Sequence, residues 1–161
     1  MQCILSHIDH TERLGRILAR TMVAQGVCTL LISGQLGAGK TTLIRSIVAN
    51  LPGGEGAEVS SPSFNLVNVY PTQPEVVHID LYRLGQFGMD ESLVEYLDSE
   101  QAILLVEWAE FLPDSVVPEN SIWLTIELSE ENRIVYLNAN GDWAKDWLQR
   151  MKSANSSLLF H

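Results

Sequence analysis

The stretch Thr29–Val48, TLLISGQLGAGKTTLIRSIV, constrains the fold more than any other part of the chain. An apolar run meets three glycines, a lysine and two threonines, and then apolar residues at helical spacing. Gly34, Gly39, Lys40 and Thr41 satisfy G-x-x-x-x-G-K-[ST], the phosphate-binding P-loop. The glycines let the backbone wrap closely and aim its N–H groups inward. The following helix offers its N-terminus to an anion. Lys40 brings a positive charge to the β- and γ-phosphates, and the Thr41 hydroxyl can ligate Mg²⁺. A glycine turn beside a surface lysine would give the same letters. Here, however, the match follows a predicted strand and opens a predicted helix, as the motif's mechanics require.

A P-loop hydrolase also needs a carboxylate for metal and water at the end of a neighbouring buried strand. AILLVEW places Glu107 after one apolar run, and VVHIDLYR places Asp80 after another. Glu107 ends the cleaner run and is the first choice for the Mg²⁺ side. Asp80 is a candidate for orienting water or supporting the metal from behind. Either acid could instead simply end a strand at the surface. His78 is a candidate base, although a partly buried histidine beside a strand is more often structural. Trp108 reads as packing that could also line the site.

The remaining patterns give the order of elements. Asp9 followed by Glu12 reads as a capping box, and Leu14, Ile17, Leu18 and Met22 then share one helical face. Leu43, Ile44, Ile47 and Val48 mark a second amphipathic helix, stopped by Pro52-Gly53-Gly54. Residues 53–61 read as a loop. Phe64–Tyr70 and Val76–Asp80 suggest a hairpin around Pro71–Pro74. Asp90–Leu97 is a short helix candidate, and Ile103–Glu107 a buried strand. Ile122–Leu128 alternates and turns at Glu130-Glu131-Asn132 into a partner strand, Arg133–Ala139. Asp142 is the expected cap of a last helix bearing Trp143, Trp147 and Leu148. The order is α/β with several antiparallel neighbours, so a mixed sheet with helices on both faces is expected. The 161 residues suit one domain, residues 1–152, with 153–161 as a loose tail.

Charge narrows the function. The formal charge is −10, and no Lys or Arg lies between Arg45 and Arg83 or between Arg83 and Arg133. Unaided nucleic-acid binding needs a basic face, so an RNA substrate would have to be held by something else. No N-K-x-D guanine-reading motif is present, which favours ATP. A small-molecule kinase would close an Arg-bearing lid over the phosphoryl group, and the basic-free span argues against one. Lys40, Arg45, Arg83 and Arg133 are the few internal cations, which predicts slow hydrolysis accelerated by a partner. A kinase with an unusual lid and a nucleotide-gated binding module with little turnover remain alternatives. The two cysteines, Cys3 and Cys28, have apolar neighbours and no metal-ligand spacing, so reduced core thiols are expected. No apolar run approaches the roughly 20 residues of a membrane span, and the first residues do not read as a signal peptide. A cytoplasmic protein is expected.

GQLGAGKTT, then SPSF at residues 61–64, HIDLYR at 78–83 and LLVEW at 104–108, in that order, make the chain similar to the TsaE (YjeE) family, P-loop ATPases of tRNA N6-threonylcarbamoyladenosine biosynthesis. The likeness covers about Asp9 to Arg133. It implies a P-loop NTPase-like three-layer fold with a central mixed parallel/antiparallel sheet flanked by helices. It also implies work with TsaD and TsaB, which transfer threonylcarbamoyl to adenosine 37 of ANN-decoding tRNAs, with tRNA met only through that complex. ATP hydrolysis would then reset or drive the complex between turnovers. Carried over to this chain, Leu36, Gly37, Ala38, Gly39, Lys40, Thr41 and Thr42 would cradle the phosphates. Thr41 and Glu107 would hold Mg²⁺, and Lys40, Asp80 and Glu107 would serve hydrolysis. Ser61–Phe64 would be a switch-like loop, and Thr11 and Arg133 would lie near the adenine. Gln35 stands where the family usually has an acidic residue or Asn, and Ser63 where Thr is usual.

Overall fold

Strands apolar at every position must be covered on both faces, whereas alternating strands can leave one face to water. The protein, seen as a computed structural model that describes residues 1–26, 28–62, 64–84, 91–97 and 101–155, follows that division. In chain order the elements are β1 (Gln2–Leu5), α1 (Ile8–Gln25), β2 (Thr29–Ser33), α2 (Lys40–Ala49), β3 (Val67–Tyr70), β4 (Val76–Asp80), α3 (Glu91–Leu97), β5 (Ile103–Glu107), β6 (Ser121–Leu128), β7 (Arg133–Asn140) and α4 (Asp142–Ala154). Single helical turns cover Ala109–Phe111 and Asp114–Val116.

The strands form one seven-stranded sheet in the order β1-β7-β6-β2-β5-β4-β3. β6, β2, β5 and β4 run parallel. The hairpin partners β7 and β3 run antiparallel to β6 and β4, and β1 closes the β7 edge. The sheet is therefore mixed, as expected. Every residue of β4 and β5 is buried, while β6 alternates from Ile122 to Glu127. One core lies between the sheet and α1, α2 and α4, with Leu14, Leu18, Met22, Leu43, Ile47, Trp147 and Met151 pointing into it. A second, on the other face, gathers Leu31, Val77, Ile79, Leu104 and Val106 with Leu93 and Leu97 of α3.

Several boundaries differ from expectation for local reasons. α1 begins at Ile8, with His7 as its N-cap and no side-chain capping bond, so the Asp9–Glu12 capping box does not form. Instead the His10 ring accepts the Ser6 N–H at 3.2 Å, and Asp9 sits in the first turn, where a negative charge meets the positive end of the helix dipole. Asp142 is the first residue of α4 rather than its cap; that position belongs to Gly141, and Asp142 pairs with Lys145 at 2.9 Å. α4 runs on to Ala154, two residues into the expected tail, and residues 156–161 lie outside the described residues. β1 had no counterpart in the sequence reading. Among the described residues no helix is long and apolar enough to cross a membrane.

Candidate functional site

β2 delivers the P-loop from the middle of the sheet, flanked by β6 on one side and β5 on the other. Two glycines are fixed there by geometry. Gly34 has φ +142°, and a Cβ on it would meet the Ile126 carbonyl of β6 at 2.5 Å. Gly39, with φ +104°, is the N-cap of α2, in the left-handed region that side chains rarely adopt. Between them Gly37 faces open space and Leu36 is 77% exposed, while Ala38 is fully buried. The loop thus has an anchored floor and an open rim. Arg133, on β7, braces it by donating from Nε to the Ala38 carbonyl at 2.8 Å.

Lys40 opens α2 and is only 4% exposed. Its ammonium donates back to the loop carbonyls of Gly34 and, at 3.2 Å, Gln35. The Trp108 ring covers it, with Nζ 3.6 Å from the ring centroid. Burial pushes the Lys40 ammonium below its ordinary range, and Glu107, Glu110 and Asp80 pull it partly back. Trp108 reaches this position from a backbone in the left-handed region, φ +57°, immediately after β5. Tyr82 and Phe111 pack beside it, with ring centroids at 4.9 and 6.0 Å. The sequence placed Trp108 near the site but gave no sign of its contact with Lys40. Its only signal was adjacency to Glu107.

The two candidate carboxylates lie opposite each other, because β4 and β5 pair in a register that sets Asp80 against Glu107. Both are buried, at 2% and 3% exposure. Glu107 accepts the Thr41 hydroxyl at 2.8 Å on Oε1, and His78 Nε2 lies 2.9 Å from the same oxygen. Asp80 accepts from the Ser61 hydroxyl on Oδ2 and from the Tyr82 backbone N–H at 2.9 Å on Oδ1. Among the described contacts each carboxylate has its own partners, Thr41 and His78 for Glu107 and Ser61 and Tyr82 for Asp80. His78 is fully buried, stacks beside Tyr70 at 6.2 Å, and leaves Nδ1 without a hydrogen-bond partner among the described residues.

The segment leading to Ser61 is tied down on three sides. Arg45 of α2 donates to the Val59 carbonyl, Asn68 of β3 donates to the Ser60 carbonyl, and Ser61 reaches Asp80. Residue 63 lies outside the described residues. Phe64 is 84% exposed, and the Arg83 guanidinium lies 4.8 Å from its ring centroid. Of the expected site residues, the fold brings Lys40, Thr41, Asp80, Glu107 and Arg133 together. Thr42 is half-buried in the first turn of α2. Thr11 is buried in the first turn of α1, and no hydrogen bond ties it to the P-loop among the described residues.

The chain resembles known proteins. The sequence model of the family described as "Threonylcarbamoyl adenosine biosynthesis protein TsaE" matches residues 5–135. The tRNA threonylcarbamoyladenosine biosynthesis protein TsaE of Rickettsia felis is 31% identical over 137 residues, covering 81% of this chain and 74% of its own. The protein of that name from Aquifex aeolicus is 34% identical over 134 residues, covering 82% and 90%. The crystal structure of Bacillus subtilis YdiB shares the fold, with a TM-score of 0.74 over 96% of this chain and 95% of that one, at 21% identity.

Proposed function

The chain belongs to the TsaE family, and on that premise we propose that it serves tRNA threonylcarbamoyladenosine biosynthesis as an ATP-binding and ATP-hydrolysing subunit. The observation that carries this reading is the convergence at the start of α2. There an open-rimmed glycine loop, a buried lysine and a hydroxyl–carboxylate pair meet within one small volume.

Each group has a part in the proposal. Leu36 to Thr42 wrap the phosphates with backbone N–H groups, aided by the N-terminus of α2. Lys40 exchanges its bonds to the Gly34 and Gln35 carbonyls for phosphate oxygens. The donor set fits magnesium: the Thr41 hydroxyl and the Glu107 carboxylate are hard oxygen donors, with Thr41 Oγ1 2.8 Å from Glu107 Oε1 at the loop's inner end. Thr41 and Glu107 would hold Mg²⁺, which when bound neutralises charge on the phosphates. Asp80, fixed by Ser61 and the Tyr82 N–H, orients the attacking water. Arg133 braces the loop and, with Thr11, serves the adenine side. Ser61–Phe64 acts as the switch-like segment.

Slow turnover by the isolated chain follows from its cations. Of the four expected near the site, Arg45 is engaged with the Val59 carbonyl, Arg83 lies against Phe64 and Arg133 holds Ala38. Among these four, Lys40 is the one whose present partners, the Gly34 and Gln35 carbonyls, belong to the phosphate loop itself, and in this proposal a partner supplies further charge for the transition state. In this proposal the partners are TsaD and TsaB, tRNA is met only through them, and the setting is the cytoplasm. Residues 1–152 act as one ATPase domain.

ATP turnover with and without TsaD–TsaB and tRNA tests this. Phosphate release that rises with the partners is the expected result. Phosphate appearing on a metabolite would point to a kinase, and nucleotide-dependent association without turnover to a gated binding module. Glu107→Ala is expected to spare ATP binding more than hydrolysis; normal hydrolysis in that variant would move the metal carboxylate role to Asp80.

A further inference from the structure

His78 is the most deeply buried polar side chain near the site, and its contacts do not explain it as packing. It is fully inaccessible, between the apolar positions Val77 and Ile79 of β4. An ionised Glu107 can only accept, so Nε2 carries the hydrogen of the 2.9 Å bond to Oε1. Nδ1 then lies buried with no hydrogen-bond partner among the described residues, whichever form the ring takes. An apolar side chain of similar size would leave no such orphan, and buried polar atoms without partners destabilise a fold. A residue that breaks this local rule beside a site belongs to the site's chemistry more readily than to its packing.

The pattern of bonds says what that part is. Glu107 Oε1 accepts from two directions, Thr41 Oγ1 at 2.8 Å and His78 Nε2 at 2.9 Å. Among the described residues both hydrogen bonds to this carboxylate fall on one oxygen. When the Thr41 hydroxyl oxygen meets a cation, as the proposed function requires, Thr41 is drawn toward the metal and His78 remains the tether whose geometry does not depend on it. We infer that His78 is a positioning residue, whose Nε2–H on Oε1 fixes the rotation of the Glu107 carboxylate that would meet a divalent cation bound with the nucleotide. The inference rests on the P-loop reading above. It needs only the hydrogen bond, and assigns no proton transfer to the ring.

The test uses the full chain, ATP as probe, and calorimetric binding with EDTA or with increasing Mg²⁺. His78→Leu removes the donor. His78→Gln places an amide N–H near the Nε2 position, and His78→Asn places one nearer Nδ1, too short to reach. Outer partners of metal ligands typically set roughly 10–100-fold in metal affinity. His78→Leu and His78→Asn are therefore expected to raise the Mg²⁺ midpoint for ATP binding about tenfold or more, with His78→Gln recovering most of the loss. Affinity for ATP in EDTA should stay within about twofold in all three, since metal-free binding does not use the carboxylate. Should His78→Leu fail to fold, the Gln and Asn pair still decides. Equal Mg²⁺ midpoints in folded variants, an equal loss in EDTA, or no difference between Gln and Asn would each overturn the inference. Wild-type protein that binds no ATP under either condition would instead remove the functional reading beneath it.

Discussion

At the carboxyl ends of β2, β4 and β5 the interior holds Lys40, His78, Asp80 and Glu107, none more than 4% exposed. In the β1–β7–β6 flank the interior is Cys3, Leu5, Ile122, Leu124, Val135 and Leu137, closed over by Trp147 and Met151 of α4. The two regions share one sheet and opposite energetics. Burying charge costs free energy even when it is paired, whereas each large apolar side chain taken from water contributes roughly 1.5–3 kcal/mol. The flank therefore stabilises a sheet whose other end is built against stability, and each region should fail in its own way.

The largest separation is expected from Trp147→Ala. Emptying a buried tryptophan site should cost about 3–5 kcal/mol in denaturant unfolding. ATP affinity, measured where the variant remains folded, should be unchanged. A parallel loss of affinity would erase the distinction between the regions. Lys40→Ala should do the reverse. Removing one preorganised charge from a transition state costs about 10²–10³-fold in turnover, while the unfolding midpoint should hold or rise because a desolvated ammonium is gone. A collapsed fold in Lys40→Ala would show that the site region also carries stability.

Ser61→Ala sharpens the comparison within the site. Asp80 would lose one of its two described tethers, which is worth about 1 kcal/mol. A turnover loss larger than the stability loss is expected. The smallest effect is alkaline. Burial pushes the thiols of Cys3 up to about 11 and Cys28 up to about 12, from an ordinary 9.0. Above the ordinary value the unfolded chain releases protons that the native thiols keep, so stability falls as pH rises, by a few tenths of a kcal/mol per thiol near pH 9. Lys40 acts oppositely. Its lowered value means the unfolded chain holds the proton longer, so its contribution rises with pH up to about 10.5. Unfolding midpoints at pH 7 and 9 in a Cys3→Ala/Cys28→Ala variant should separate the two slopes; identical slopes with and without the thiols would remove the cysteine contribution.

Much of this was legible in the chain. Ile103–Glu107 and Thr29–Ser33 stand out because an uninterrupted apolar run has few places to go except the middle of a sheet. Leu14, Ile17, Leu18 and Met22 all point inward because helical spacing fixes one face. Those features are local. β1 was missed because it is four residues long and its partner, β7, lies at the far end of the chain. The Asp9 cap failed because His7 and His10 settle the helix start instead, a choice between near-equal local options. Within the site, the residue types were readable and their pairings were not. Nothing in HIDLYR reveals that His78 reaches Glu107 while Asp80 reaches Ser61. That division depends on the β4–β5 register and on a loop folding back across it.

Trp108 carries one more consequence. An indole with an ammonium against its face emits at a wavelength sensitive to that charge, because excitation shifts electron density within the ring. Lys40 Nζ lies 3.6 Å from that ring's centroid, while Trp123, Trp143 and Trp147 sit on other elements. The protein thus holds its own unlabelled optical gauge of where the lysine is, and any ligand that draws Lys40 off the ring should change the colour of its light.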